Sequence, residues 1–228
     1  MQTMQPRFTA PSPGQVIPVG RRIILGMLGL GAAGLVLGKN LNPLSWLDTL
    51  GSGLGSSNSL GFRIYTVNGV PPYDPTTWRM QVDGMVAQPM SLSFDDLQTL
   101  PQSQQVGIFH CVTGWSVPNL TWSGVKMTDF LAHVQPLPGA SYITLYSSDG
   151  AYTDSISLKQ ASQPDVMLAH SMNSAPLPLE QGQPVRLIIP EMYGYKNIKW
   201  VNRIQFTNQP IFGYWEQRGY PVDAYIKK

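Results

Sequence analysis

Cysteine is nearly absent from this chain: Cys111 stands alone among 228 residues. A single thiol excludes an intramolecular disulfide framework, and no CxxC zinc knuckle or CxxCH haem attachment can be built from it. Histidine is scarce as well. His110, His133 and His170 lie far apart, without the i,i+4 spacing of a helical zinc pair. Charge is thin: 12% of residues are Asp, Glu, Lys or Arg, about half the usual share, and the net charge is +2. No cluster of Lys and Arg interleaved with aromatic residues occurs, so the chain carries no footprint for nucleic acid. Acidic residues are missing altogether before Asp48.

What is present suits a folded domain with an accessory segment. Hydrophobic residues make up 43% and aromatics 10%, enough for a core, while 20 prolines and 22 glycines point to many turns and short elements. Residues 1–22, rich in Pro, Gln and Thr and closing on Arg21-Arg22, are expected to form a disordered basic N-region. Residues 23–38, "IILGMLGLGAAGLVLG", contain no charge, and at 16 residues fall short of the ~20 of a full membrane span. They fit the apolar region of an export signal. Arg-Arg-x-x-Leu resembles a twin-arginine signal, although the usual Ser/Thr before the pair and Lys after it are missing. With no clean A-x-A cleavage site, an uncleaved anchor is favoured over a removed signal. Five glycines in this stretch argue against a buried core helix. Residues 39–61, with "GSGLGSSNSLG", read as a flexible tether, which places the folded domain at 62–228.

Within that domain the periodicity predicts mostly short strands. "WRMQVDGMV" (Trp78–Val86) alternates in the strand manner, and "VGIFHCV" is an apolar strand. "YITLYSSDG" and "YTDSISL" form a hairpin around Asp149-Gly150, and "PVRLIIP" and "VNRIQFT" are further strands. Two helices are expected. One is Ser93–Leu100, capped by Ser93; the other is Trp122–Val134, with Val125, Phe130, Leu131 and Val134 on one side. Strands with interspersed short helices and no regular βαβ alternation define an α+β domain.

Two stretches carry chemistry. The first is "FHCVTGWS" (Phe109–Ser116). Cys111 has three readings here: a small buried hydrophobe, a nucleophile, or the single thiolate ligand of a metal whose other ligands come from a cofactor. His110 is poorly placed as its base, because adjacent side chains on a strand face opposite ways. The second stretch is "EQGQPVRLIIPEMYGYKNIKW" (Glu180–Trp200). Here Arg186, Lys196 and Lys199 have the types to converge on an anion, and Gly194 would let backbone N–H groups approach a phosphate. An ordinary strand–turn–strand with solvated lysines is the alternative.

Taken together, these stretches resemble the molybdenum-cofactor domain of the sulfite oxidase family, in its bacterial, membrane-associated or periplasmic branch. The resemblance runs from about Phe62 to Lys228 and includes "FRIYTVNGVPPYDPTTWRMQVDGMVAQP", "CVTGWSVPNLTWSGVKMTDFL" and the closing "GYWEQRGYP". It implies a β-rich, mixed-sheet molybdopterin fold binding Mo-molybdopterin. Cys111 matches the metal-ligating cysteine, and Arg186 the arginine of the cofactor phosphate. Gln181 stands where the family has a His or Asn on the pterin. Gly194, Tyr195 and Lys196 match the loop around the phosphate, with Lys199 a nearby basic residue; Tyr65 and Ser147 fall near cofactor-contact positions. The family chemistry is two-electron oxygen-atom transfer on a small oxo substrate, with a separate membrane cytochrome or quinone-linked electron partner, since no haem or flavin motif is visible. The larger sulfite oxidases carry a C-terminal dimerisation domain beyond the point matching Lys228, so a monomeric catalytic domain is expected, outside the membrane that holds the N-terminal segment. The arginines that follow the family's cysteine are missing here. Trp115 and Trp122 instead bring aromatic surface near Cys111. Reduction of a neutral S- or N-oxide is therefore expected ahead of sulfite oxidation, with a non-catalytic, membrane-tethered β-rich binding domain as the reading from another class.

Overall fold

In the computed structural model, residues 61–227 are described; the expected N-region, anchor and tether fall at 1–60, outside them. Two five-stranded sheets make up the domain. The first runs β2 (Met90–Leu92), β1 (Met80–Gly84), β10 (Val201–Thr207), β5 (Tyr142–Ser147) and β6 (Thr153–Ser157). β1 and β10 are parallel and the other neighbours antiparallel, so the sheet is mixed. In the second, β3 (Gln102–His110), β4 (Ser116–Lys126), β7 (Met167–Met172) and β8 (Ala175–Pro176) are ordered side by side, and β9 (Arg186–Ile188) also pairs with β7.

Period-two patterning sets the faces. Met80 and Val82 of β1 and Ile204 and Phe206 of β10 are buried, while Gln81 between the first two is exposed. They join the larger core with Ile143 and Leu145 of β5 and Leu187 of β9. A smaller cluster of Phe62, Val117, Leu120, Trp122 and Ile188 lies beneath the Cys111 loop, with Phe109 and Trp115 against it.

Helix α1 (Phe94–Thr99) forms as expected: Ser93 accepts from Asp96 N–H, and the Asp96 side chain accepts from Ser93 N–H in return. The second helix is corrected. Helix α2 spans only Met127–Val134, because Trp122–Lys126 continue β4, paired on both sides by β3 and β7. Gly124 lets β4 close on β7; a Cβ there would lie 2.8 Å from Ala169 Cα. Met127, Phe130 and Val134 are the buried face of α2, and Val125 is buried from the strand instead. A short helix, α3 (Leu158–Ala161), follows the β5–β6 hairpin. No described helix is long and apolar enough to cross a membrane.

Candidate active site

Cys111 sits one residue past the end of β3, in a tight turn rather than in the strand. Its N–H donates to Trp115 O at 2.9 Å, Gly114 N–H returns to Cys111 O at 3.1 Å, and Gly114 has φ +92. The thiol is half-buried and contacts Thr113 Oγ1 at 3.2 Å. His110 turns to Ser116 Oγ (2.8 Å), away from any role as base to the thiol. The strand leading to the turn is an edge of its sheet: Val106 is 70% exposed, so apolar composition there does not mean core.

The turn opens onto a cleft of about 190 Å³. Eight of the nine site residues singled out in the sequence line it: Tyr65, Cys111, Ser147, Gln181, Arg186, Gly194, Tyr195 and Lys199. Arg186 is nearly fully buried. Its Nη1 donates to Gln181 O and Oε1 (2.9 and 3.1 Å), its Nη2 to Asn197 O (3.2 Å), and its guanidinium lies over the Phe109 and Trp122 rings. Burial lowers it to about 9. Lys199 Nζ donates to Tyr65 O and Glu180 O (2.9 and 3.0 Å); burial first, then the charge of Arg186, pushes it down to about 7. Neither cation has a carboxylate in salt-bridge contact among the described residues; their hydrogen bonds go to carbonyl oxygens, with Asp149 and Glu180 acting on Lys199 only from a distance.

Lys196 is the ninth, and the expected convergence of three cations is corrected to two. Its ammonium is buried between Asp154 (2.7 Å) and Glu216, and also donates to Ser155 O (3.1 Å). A lysine taken out of water needs carboxylates, and these are supplied by β6 and the closing segment. Gly194 is also needed for another reason than expected: a Cβ there would overlap the Phe109 ring, with Cε1 at 2.9 Å.

Sequence reasoning missed two parts of the cleft. Asp149, a turn residue by its Asp-Gly pattern, is buried, its Oδ1 accepts from Ala151 and Tyr152 N–H, and it lines the cleft. The other part is the extent of the aromatic wall: Trp115 is expected beside the thiol, Phe62 and Phe109 are not, and Trp122 is buried under Arg186 and does not line the cleft. Phe62, Phe109 and Trp115 meet at centroid distances of 5.3 to 6.0 Å, and Tyr65 stacks on Trp115 at 6.4 Å. The nearness of Phe62 to Phe109 across the fold left no local trace in the sequence.

Unpaired polar atoms concentrate in this cleft. Among the described residues, six buried side-chain polar atoms lack a partner, and four of them belong to cleft residues: Trp115 Nε1, Asp149 Oδ2, Gln181 Nε2 and Arg186 Nε. Buried polar groups are normally satisfied, so such a concentration marks where a ligand's own donors and acceptors fit. Two desolvated cations, unpaired donors and an unpaired acceptor suit an anionic, heteroatom-rich ligand, and the Cys111 thiol at one wall is a sulfur donor within the same cleft. No cluster of His, Cys, Asp and Glu capable of holding a metal by itself occurs among the described residues.

The chain belongs to the family described as the oxidoreductase molybdopterin binding domain, which it matches over residues 67–215. It is 36% identical over 160 residues to the uncharacterized oxidoreductase YuiH of Bacillus subtilis, covering 70% of this chain and 80% of that one. A putative protein-methionine-sulfoxide reductase subunit, YedZ1, of Azospira oryzae is 37% identical over 147 residues, covering 64% of this chain and 55% of its own length. Human mitochondrial sulfite oxidase is 29% identical over 180 residues, covering 66% of this chain and 33% of the enzyme. The chain thus spans most of the Bacillus protein but only part of the other two. In fold it resembles the sulfane dehydrogenase SoxCD of Paracoccus pantotrophus, with a TM-score of 0.62 and 22% identity over 65% of this chain and 42% of that one. The protein is a molybdopterin-dependent oxidoreductase, and the non-catalytic reading is set aside. The cleft residues fit its cofactor: an unpaired guanidinium N–H and a lysine for a phosphate, an unpaired amide and carboxylate oxygen for pterin edges, and one thiol for the metal.

Proposed function

We propose that this enzyme reduces a neutral sulfoxide or N-oxide, and that its cleft residues divide the work as follows. Cys111 holds the molybdenum through its sulfur, a soft and strongly donating ligand. Arg186 and Lys199 neutralise the phosphate and Gln181 borders the pterin, while Tyr65, Ser147, Gly194 and Tyr195 wall the cofactor. Lys196 acts one step back, pinning the Gly194–Lys196 turn to β6 and the closing segment. Bound Mo-molybdopterin supplies two-electron oxygen-atom-transfer chemistry. For each sulfoxide converted to sulfide, two electrons and two protons enter and the oxygen leaves as water. The electrons come from a separate membrane cytochrome or quinone-linked partner. The domain stands outside the membrane, held by the N-terminal segment, and Arg21-Arg22 stay on the cytoplasmic side.

The observation that carries the substrate reading is the surface beside the thiol. Phe62, Tyr65, Phe109 and Trp115 line that part of the cleft, and the Cys111–Ser116 loop has no charged side chain. An apolar wall with few polar groups binds a neutral molecule and leaves a sulfite dianion poorly solvated. The name of the Azospira relative points the same way. Sulfite oxidation is the second reading, and Arg63 favours it: it is exposed, lines the cleft, and makes no ion pair among the described residues. The same Mo-loaded protein, given reduced viologen with a sulfoxide or sulfite with ferricyanide, separates the two. Sulfoxide reduction is expected to dominate. Sulfite turnover without sulfoxide reduction would reverse the assignment.

A further inference from the structure

The Trp115 indole N–H is buried without an acceptor, in a cleft where the other unpaired atoms suit a cofactor's phosphate and ring edges. Its position is fixed from several sides. The backbone O of Trp115 holds Cys111 N–H, and the ring is stacked by Tyr65, met edge-on by Phe62 (6.0 Å) and flanked by Phe109 (5.8 Å). Leaving an N–H buried and unpaired is costly, and Trp115 is among the residues that line the cleft, so an acceptor bound there is the partner at hand. The chain tolerates this beside the residue that carries the chemistry.

Resting on the sulfoxide reading above, we propose that Trp115 is the substrate-recognition residue, its indole N–H donating to the oxygen of the neutral S=O group. Indole only donates and stays uncharged, so it selects an acceptor oxygen without favouring an anion. It also separates substrate from product. The sulfide has no oxygen, so once the oxygen is lost the N–H is again unpaired and the product is held less well, as in any site built around one substrate hydrogen bond. The aromatic wall contributes apolar contact to both and does not discriminate between them.

The test uses nitrogen-15-labelled, cofactor-loaded protein. The sequence has six tryptophans, and the Trp115→Phe variant identifies the Trp115 indole resonance by its loss. Dimethyl sulfone, which keeps S=O acceptors, is the binding probe, and dimethyl sulfoxide the substrate. Adding the sulfone should move the Trp115 N–H resonance downfield in a saturable way and leave the other indoles in place. Trp115→Phe should lose roughly three- to tenfold in kcat/KM for dimethyl sulfoxide, the worth of one neutral hydrogen bond. An unmoved resonance at sulfone concentrations that inhibit turnover would overturn the proposal. So would a resonance already shifted by cofactor loading alone, since the acceptor would then be the cofactor. Wild-type protein that turns over sulfite and no sulfoxide would overturn the underlying reading instead.

Discussion

Lys196 shows how much a single buried ammonium can carry. It neutralises Asp154 and Glu216 together, and the crowding shows: burial, opposed by Lys196 and reinforced by Glu216, raises Asp154 to about 7. Lys196→Met would leave two buried carboxylates without a cation, and should destabilise the fold by ~3–5 kcal/mol. Asp154→Asn removes the surplus charge while keeping an oxygen for the lysine, and should hold its melting temperature near neutral pH. Thermal melts of the two variants check this; equal losses would refute the shared-cation account. Lys199 predicts a pH effect on the cofactor. With its free value near 7, a bound phosphate must raise it, so binding takes up a proton above that pH and affinity falls as pH climbs. Retention of pterin after gel filtration should be weaker at about pH 8.5 than at about pH 6.5, and Lys199→Gln should flatten that dependence. The thiol and the arginine could be singled out in the sequence, but their roles rest on the family resemblance, because the local pattern alone left Cys111 three readings and Arg186 an ordinary strand position. The fate of Lys196 was not legible, since its partners lie 42 and 20 residues away.

Among the elements, β3, its turn and the Gly194–Lys196 turn build the cleft by close contact of Phe109 with Gly194. Gly194→Ala would drive a methyl into that ring, at a cost of ~1–3 kcal/mol if the ring can shift. The ring also carries the Arg186 guanidinium, so the variant should lose pterin retention more than secondary structure, measured by pterin fluorescence against circular dichroism. Full retention would mean the contact does not shape the site. Strands with clear alternation, such as β1 and β10, could be read from sequence. The start of α2 could not, because "WSGVK" carries both strand and helix options and only the pairing of β4 with β3 and β7 decides. β3 shows the reverse case, an apolar run that ends as an exposed edge.

At the scale of the whole molecule, two sheets and short helices bring Phe62, Cys111, Asp149, Arg186 and Trp215 to one cleft from across the chain. No local pattern announces that assembly; the order and spacing of the sequence blocks were what made it readable through family resemblance. The account stands on Cys111 as the protein's own ligand to the molybdenum of a cofactor that the rest of the cleft holds. The most direct measurement is molybdenum and pterin content of wild-type and Cys111→Ser protein made in a host that synthesises the cofactor. Wild type should carry both in amounts matching the chain, and Cys111→Ser should fold and keep pterin while losing turnover. Wild-type protein repeatedly free of molybdenum and pterin under those conditions would contradict the account.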